Sequence, residues 1–231
     1  MMGTSPLSSE PLARLRARHL VMPARPKSLP LGLGPIDALL PDAGLPRGAV
    51  VEICSPAGLG HATRLALAAC ASAQREARAQ GDEQSTRAWC GWIDTSQTLF
   101  APGVLAAGVD LERLLVVRPP PEALARIAVR LGSSQLFSLL VVERAGVPGM
   151  RSSEVRARWS TTVRRLGLAL ESSECTVVLL SSTEQLRAEP LPVAMRIELG
   201  RPSSDRLSFR IAKERYGRIG DPVSLSLSEV A

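Results

Sequence analysis

The sequence predicts a three-layer α/β protein: a mostly parallel sheet between helices, an antiparallel C-terminal edge and a short N-terminal helical arm. Three observations lead there. Between residues 49 and 181, apolar runs rich in Val and Leu alternate with helical stretches. Those runs are nearly continuous, as strands covered on both faces require. The last three runs, near Met195–Leu199, Leu207–Ala212 and Val223–Leu227, follow one another without helices, which predicts antiparallel pairing at that edge.

Taken in order, residues 1–8 are small and polar. Ser9–Leu20 reads as a short helix with Leu12 and Leu15 on one face, capped by Ser8 or Ser9. Leu20-Val21-Met22 is a brief apolar stretch ended by Pro23, and the proline-rich linker after it divides an arm at 1–28 from a body at 29–231. In the body, Pro35–Leu40 reads as a short helix and Ala49–Ile53 as a strand, and a helix follows from His61 to about Ala79. Strands are expected at Ala88–Ile93, Leu114–Arg118, Ser138–Glu143 and Thr176–Ser181. Helices are expected near Pro102–Ala107, Glu122–Leu131 and Ser153–Leu170. In the last helix, Val155, Trp159, Thr162, Leu166 and Leu170 recur at three and four residues and form a core stripe.

A chain of 231 residues can bury a sizeable core, and with 45% apolar but only 3% aromatic residues that core must be Ala, Leu and Val. No apolar run is long enough to span a membrane, and the N-terminus lacks a signal-peptide pattern, so a cytoplasmic protein is expected. Cys54, Cys70, Cys90 and Cys175 are too scattered for a metal site and read as small buried hydrophobes in a reducing compartment. The net charge is +6, and all but two of the 28 basic residues are arginine. That balance suits anionic partners, although a solvated arginine-rich surface explains it equally well.

The chemistry concentrates at 50–63. A strand, a glycine-containing loop and a helix N-terminus make an anion cradle of converging N–H groups. Phosphate loops follow G-x-x-x-x-G-K-[ST], with Lys on the β/γ-phosphates and the hydroxyl on Mg²⁺. In that register Ser55 takes the first glycine and Gly60 the second, with Gly58 between them. His61 takes the lysine position and Ala62 the hydroxyl position, while Thr63 lies one residue out of register. A neutral imidazole and a methyl group predict no catalytic hydrolysis; weak ATP binding through the loop backbone, or a plain strand-to-helix turn, stay open.

The loop does not stand alone. The stretch Leu29–Ile53, with its Gly44-Leu45-Pro46-Arg47-Gly48-Ala49-Val50-Val51-Glu52-Ile53 run, resembles the segment entering the ATPase core of RecA-type recombinases. The resemblance continues in the same order through Gly91-Trp92-Ile93-Asp94, Ala107–Leu115, Leu139–Glu143 and Thr176–Leu180, covering roughly 29–227. It implies a RecA-like fold, with Glu143 in the Walker B place where that family has Asp. It puts Ser96 where the catalytic glutamate belongs, and Ser182 and Thr183 where the family has its Asn-Gln sensor. Lys213 and Arg215 match the basic pair that reaches a neighbour's nucleotide in recombinase filaments. Leu12, Leu15, Leu20, Val21 and Met22 lie where a recombinase docks its arm on the next protomer. The two DNA-loop regions are shortened, and the chain is expected to end before the recombinase's C-terminal domain.

Within the RecA-like group this combination resembles the ImuA family. That resemblance implies a non-catalytic adaptor in DNA-damage-induced translesion synthesis. The implied partners are RecA, an ImuB-like inactive Y-family polymerase, an error-prone C-family DNA polymerase and single-stranded DNA, with no membrane. Candidate DNA contacts are Arg151, Arg156 and Arg158, with Arg14, Arg16 and Arg18 in the arm. Two other readings compete: a SulA-like cell-division inhibitor, and a weak DNA-dependent ATPase that uses Glu143.

Overall fold

The structure, a computed structural model, describes residues 28–79, 89–144, 153–188 and 191–228, without the side chains of 153–157 and 186–188. The expected arm residues Leu12, Leu15, Leu20, Val21 and Met22, with Arg14, Arg16 and Arg18, lie outside the described residues. So does Arg151.

A small ribbon opens the body. β1 (Ser28–Leu29) pairs antiparallel with β2 (Leu45–Pro46), and α1 (Gly34–Asp37) lies between them. Asp37 shapes this entry: its carboxylate accepts the backbone N–H groups of Leu31, Gly32 and Leu33 at 2.7, 2.9 and 3.1 Å. The turn into the sheet depends on Gly48, which has φ +63. A Cβ there would stand 2.7 Å from the Ser173 carbonyl oxygen and 3.0 Å from that of Leu170. Both the left-handed backbone and the close approach of another segment demand glycine at this place in the run.

The main sheet has eight strands in the order β10-β9-β8-β3-β7-β6-β4-β5. These are β3 (Ala49–Ser55), β4 (Cys90–Ile93), β5 (Leu114–Val117), β6 (Leu139–Glu143), β7 (Thr176–Ser182), β8 (Met195–Gly200), β9 (Arg206–Glu214) and β10 (Val223–Ser226). β5, β4, β6, β7, β3 and β8 run parallel to one another; β9 and β10 are each antiparallel to the strand before. The last three strands pair antiparallel with one another, as the sequence suggests, while β8 joins the parallel sheet through β3. The parallel course of β8 comes from α6 (Thr183–Ala188), a short crossover helix in what reads as a compressed loop, which returns the chain beside β3. The pattern Ser182-Thr183-Glu184-Gln185 makes that helix start. Gln185 N–H donates to Ser182 Oγ (3.3 Å), and Ser182 N–H donates back to Gln185 Oε1 (2.8 Å), a reciprocal cap.

Period two along the strands sorts the core into two layers. Val51, Ile53, Val141, Val178 and Leu180 face α2 (His61–Ala79) and the entry ribbon. Val50, Leu140, Val142, Val177 and Leu179 face α4 (Leu124–Gly132) and α5 (Ser153–Leu170), and α3 (Ala101–Ala106) follows β4. The stripe expected on α5 is buried at Trp159, Thr162, Leu166 and Leu170, while the Val155 side chain is not described. All four cysteines are free and buried. Burial pushes the Cys175 thiol up to about 12 and Cys54 above the ordinary range.

One charged group sits in the middle of this apolar sheet. Glu52, 1% exposed, accepts from Arg196 Nε at 2.8 Å and Ser181 Oγ at 2.8 Å, with Arg144 Nη1 at 3.5 Å. Arg144 also stacks over the Trp159 ring at 4.5 Å from its centroid. Strands β3, β7 and β8 and the end of β6 are thus tied by one buried cluster, in which each charge needs the others.

Candidate functional site

The C-terminal ends of β3, β4, β6 and β7 open onto a cleft of about 720 Å³. Its walls are the loop after β3, the segment Ser96–Val104 after β4, and Glu143 at the end of β6. Ligands of open α/β sheets bind at this end of the strands.

The loop after β3 has the geometry that its glycines allow. Gly58 and Gly60 have φ +80 and +66, and a Cβ on either would meet nothing within 4 Å. Those glycines are there for backbone conformation, not for space. α2 then begins at His61, with Arg64 N–H donating to the Gly60 carbonyl at 3.0 Å. Ser55, Gly58, Gly60, Ala62 and Thr63 all line the cleft. His61 stands beside it with a buried, unpartnered Nε2. Desolvation lowers its pKa, and the positive charges of Arg201 and Arg64 lower it further, so the imidazole is neutral at pH 7.

Across the cleft the polar groups are linked to one another. Thr98 Oγ1 donates to Glu143 Oε1 at 3.1 Å and lies 3.1 Å from Ser96 Oγ. Burial raises the Glu143 carboxyl above its ordinary range. The Ser96 hydroxyl opposes that, the Asp94 carboxyl adds to it, and Thr98 opposes it again. Asp94 itself is fully buried and holds the loop: it accepts Thr98 N–H at 2.9 Å, Leu99 N–H at 3.3 Å and Arg118 Nε at 3.0 Å. Asp94 therefore shapes the wall, and Ser96 and Glu143 meet through Thr98.

The structure thus brings together Ser55, Gly58, Gly60, Ala62, Thr63, Ser96 and Glu143, with His61 adjoining them. Other expected residues lie elsewhere. Ser182 is buried in the cap of α6, and Thr183 is that helix's first residue. Lys213 is part-buried on β9 and donates to the Leu191 carbonyl at 3.4 Å; burial and Arg196 lower its pKa. Arg215 is exposed over the Tyr216 ring at 5.1 Å. Arg158 is exposed on α5, and the Arg156 side chain is not described. Sequence reading overlooks Thr98 and the Glu52–Arg144–Arg196 cluster. The available signal is a charge inside otherwise apolar runs, Val50-Val51-Glu52-Ile53 and Met195-Arg196-Ile197.

Among the described residues no helix is long and apolar enough to cross a membrane, and no group of His, Cys, Asp and Glu is arranged to hold a metal ion. The sheet order and the loop at its centre define an α/β protein with a RecA-like fold. Comparison with known proteins agrees. The chain is 32% identical over 182 residues to the RecA protein of Rhodospirillum centenum, covering 74% of this chain and 47% of that one. It is 31% identical over 170 residues to RecA of Cutibacterium acnes, covering 68% and 46%. With RecA of Sinorhizobium medicae the identity is 30% over 158 residues, covering 63% and 41%. The chain spans less than half the length of these relatives, and the similarity supports a place in the RecA-like superfamily. No protein-family profile matches it.

Proposed function

We propose that this chain is a non-catalytic RecA-like adaptor of DNA-damage-induced translesion synthesis, as its resemblance to the ImuA family implies. It binds RecA and modulates its recombinase activity. It also binds an inactive Y-family polymerase relative, and works beside an error-prone C-family polymerase and single-stranded DNA.

The observation that carries this reading is the contrast within the cleft. The loop keeps the positive-φ glycines of an anion cradle, while the side chains that would act on a nucleotide are replaced. A magnesium-bound triphosphate needs a cation and a hydroxyl at the start of α2. His61, held neutral, and the methyl of Ala62 do not fit it. Ser96 offers a hydroxyl where water activation needs a carboxylate, and that hydroxyl faces Thr98. The donor set suits weak anion binding by backbone N–H groups, and phosphoryl transfer would lose its main electrostatic support.

The test is a pull-down and ATPase assay with the organism's own RecA and single-stranded DNA, using the full chain and a chain lacking residues 1–28. An adaptor is inactive alone, binds RecA, and changes RecA's ATPase or strand exchange only with the arm present. Indifference to RecA contradicts the reading. One observation favours a second reading: Glu143 lines the cleft and is linked to Thr98, so a weak DNA-dependent ATPase would use it. Hydrolysis by the chain alone, lost in Glu143→Gln, would support that reading instead.

A further inference from the structure

Far from the cleft, on the other face of the sheet, α4 and α5 lie side by side and leave a groove of about 600 Å³ between them. Two stripes face each other across it. Glu122, Arg126 and Val129 follow the helical repeat on one side, and Arg158, Thr162 and Arg165 on the other. The floor is small and apolar, with Ala123 and Thr162 buried and Ala125 and Val129 half-buried. Arg126, Arg158 and Arg165 are exposed along its rim, and none makes an ion pair with a described carboxylate.

Some arginines elsewhere on the surface are answered within the chain. Arg78, Arg118, Arg210 and Arg218 each face a carboxylate of the chain. At the groove, three guanidinium groups line a narrow trough with an apolar floor; Glu122 also lines it, and none of the three is paired with a described carboxylate. Each guanidinium presents a planar fork that matches a carboxylate two bonds at a time. The trough accepts side chains of modest size, which the backbone of a nucleic acid does not provide. Glu122, at one end, repels phosphate and marks where the partner's charge must stop.

We propose that the α4–α5 groove is a docking site for an acidic amphipathic peptide segment of a partner protein. Apolar side chains of the segment would lie on Ala125 and Val129, and its carboxylates would pair with Arg126, Arg158 and Arg165. The site uses nothing from the nucleotide cleft, so it stands whether or not the adaptor reading does.

The experiment is fluorescence anisotropy with the full chain and a labelled peptide of about twelve residues, built of Glu, Leu and Ala in amphipathic helical order. The controls are the same peptide with Gln for Glu, and an oligothymidylate of about 20 nucleotides. Saturable binding is expected for the acidic peptide, weaker by at least about tenfold for the Gln peptide. Reversal of groove charge in Arg126→Glu/Arg165→Glu should weaken it at least about tenfold, while Arg130→Glu/Arg164→Glu, matched in charge but outside the groove, should stay within about twofold. Should the groove reversal impair folding by circular dichroism, Arg126→Gln/Arg165→Gln takes its place with the same expectation. Equal losses in the two reversals would reduce the effect to net charge and overturn the proposal. So would oligothymidylate that displaces the peptide and depends on the same arginines, because the groove would then be a nucleic-acid face.

Discussion

The two halves of the loop region at β3 obey different rules. From Gly44 to Ile53 nearly every residue is held by something else in the fold. Gly48 is pinned between its φ and the carbonyls of Ser173 and Leu170, and Glu52 lies in a buried cluster with two arginines. From Ser55 to Thr63 the two positive-φ glycines fix the backbone, Ala62 packs in the core, and Ser55, Ala57 and Thr63 line the cleft. In this chain the fold constrains the first half residue by residue. The second half can change its chemistry while the backbone stays as it was.

The largest effect should come from the buried cluster. Glu52→Ala leaves two arginines uncompensated in the core and should cost about 3–5 kcal/mol in urea unfolding. Replacing all three charges with apolar residues of similar size should recover most of that loss. A fully destabilised triple variant would mean that the cluster specifies strand placement and not only charge balance.

Gly48→Ala comes next. A left-handed alanine with a carbonyl 2.7 Å from its Cβ should lose about 1–3 kcal/mol. Gly58→Ala and Gly60→Ala carry the strain without the clash, so each should lose only about 1 kcal/mol. Equal losses at Gly48 and Gly58 would erase the distinction between the two halves.

Glu143 sharpens the contrast through pH. Its carboxyl is raised in the folded chain, so the fold prefers it protonated. The stability it contributes is present below the ordinary glutamate value of 4.5 and is lost as pH rises through the raised value. Glu143→Gln should therefore raise Tm at neutral pH, and the gain should vanish towards about pH 4. The smallest effect belongs to His61→Lys, which should change stability by less than about 0.5 kcal/mol, as a partly exposed residue at the cleft mouth.

The architecture is largely legible in the sequence, because long buried strands and amphipathic helices announce themselves by period. The α5 stripe through Trp159, Leu166 and Leu170 is one case, and the unbroken apolar run of β6, Leu139–Val142, is another. The parallel course of β8 is not, because α6 is only 6 residues long and its cap, Ser182 with Gln185, reads as a sensor and a loop. At the cleft, the loop's register exposes His61 and Ala62 directly. Thr98 stays hidden because a single threonine four residues beyond Asp94 carries no spacing signal. Only the fold, with Asp94 gripping the Thr98 and Leu99 N–H groups, turns it towards Glu143.

The most direct measurement is steady-state ATP hydrolysis by the purified chain, with and without single-stranded DNA, beside the Glu143→Gln variant. Background rates are expected in all four conditions. DNA-stimulated turnover in the wild-type chain that disappears in Glu143→Gln would contradict the non-catalytic reading, and would mean that the cleft does chemistry without the usual lysine and hydroxyl.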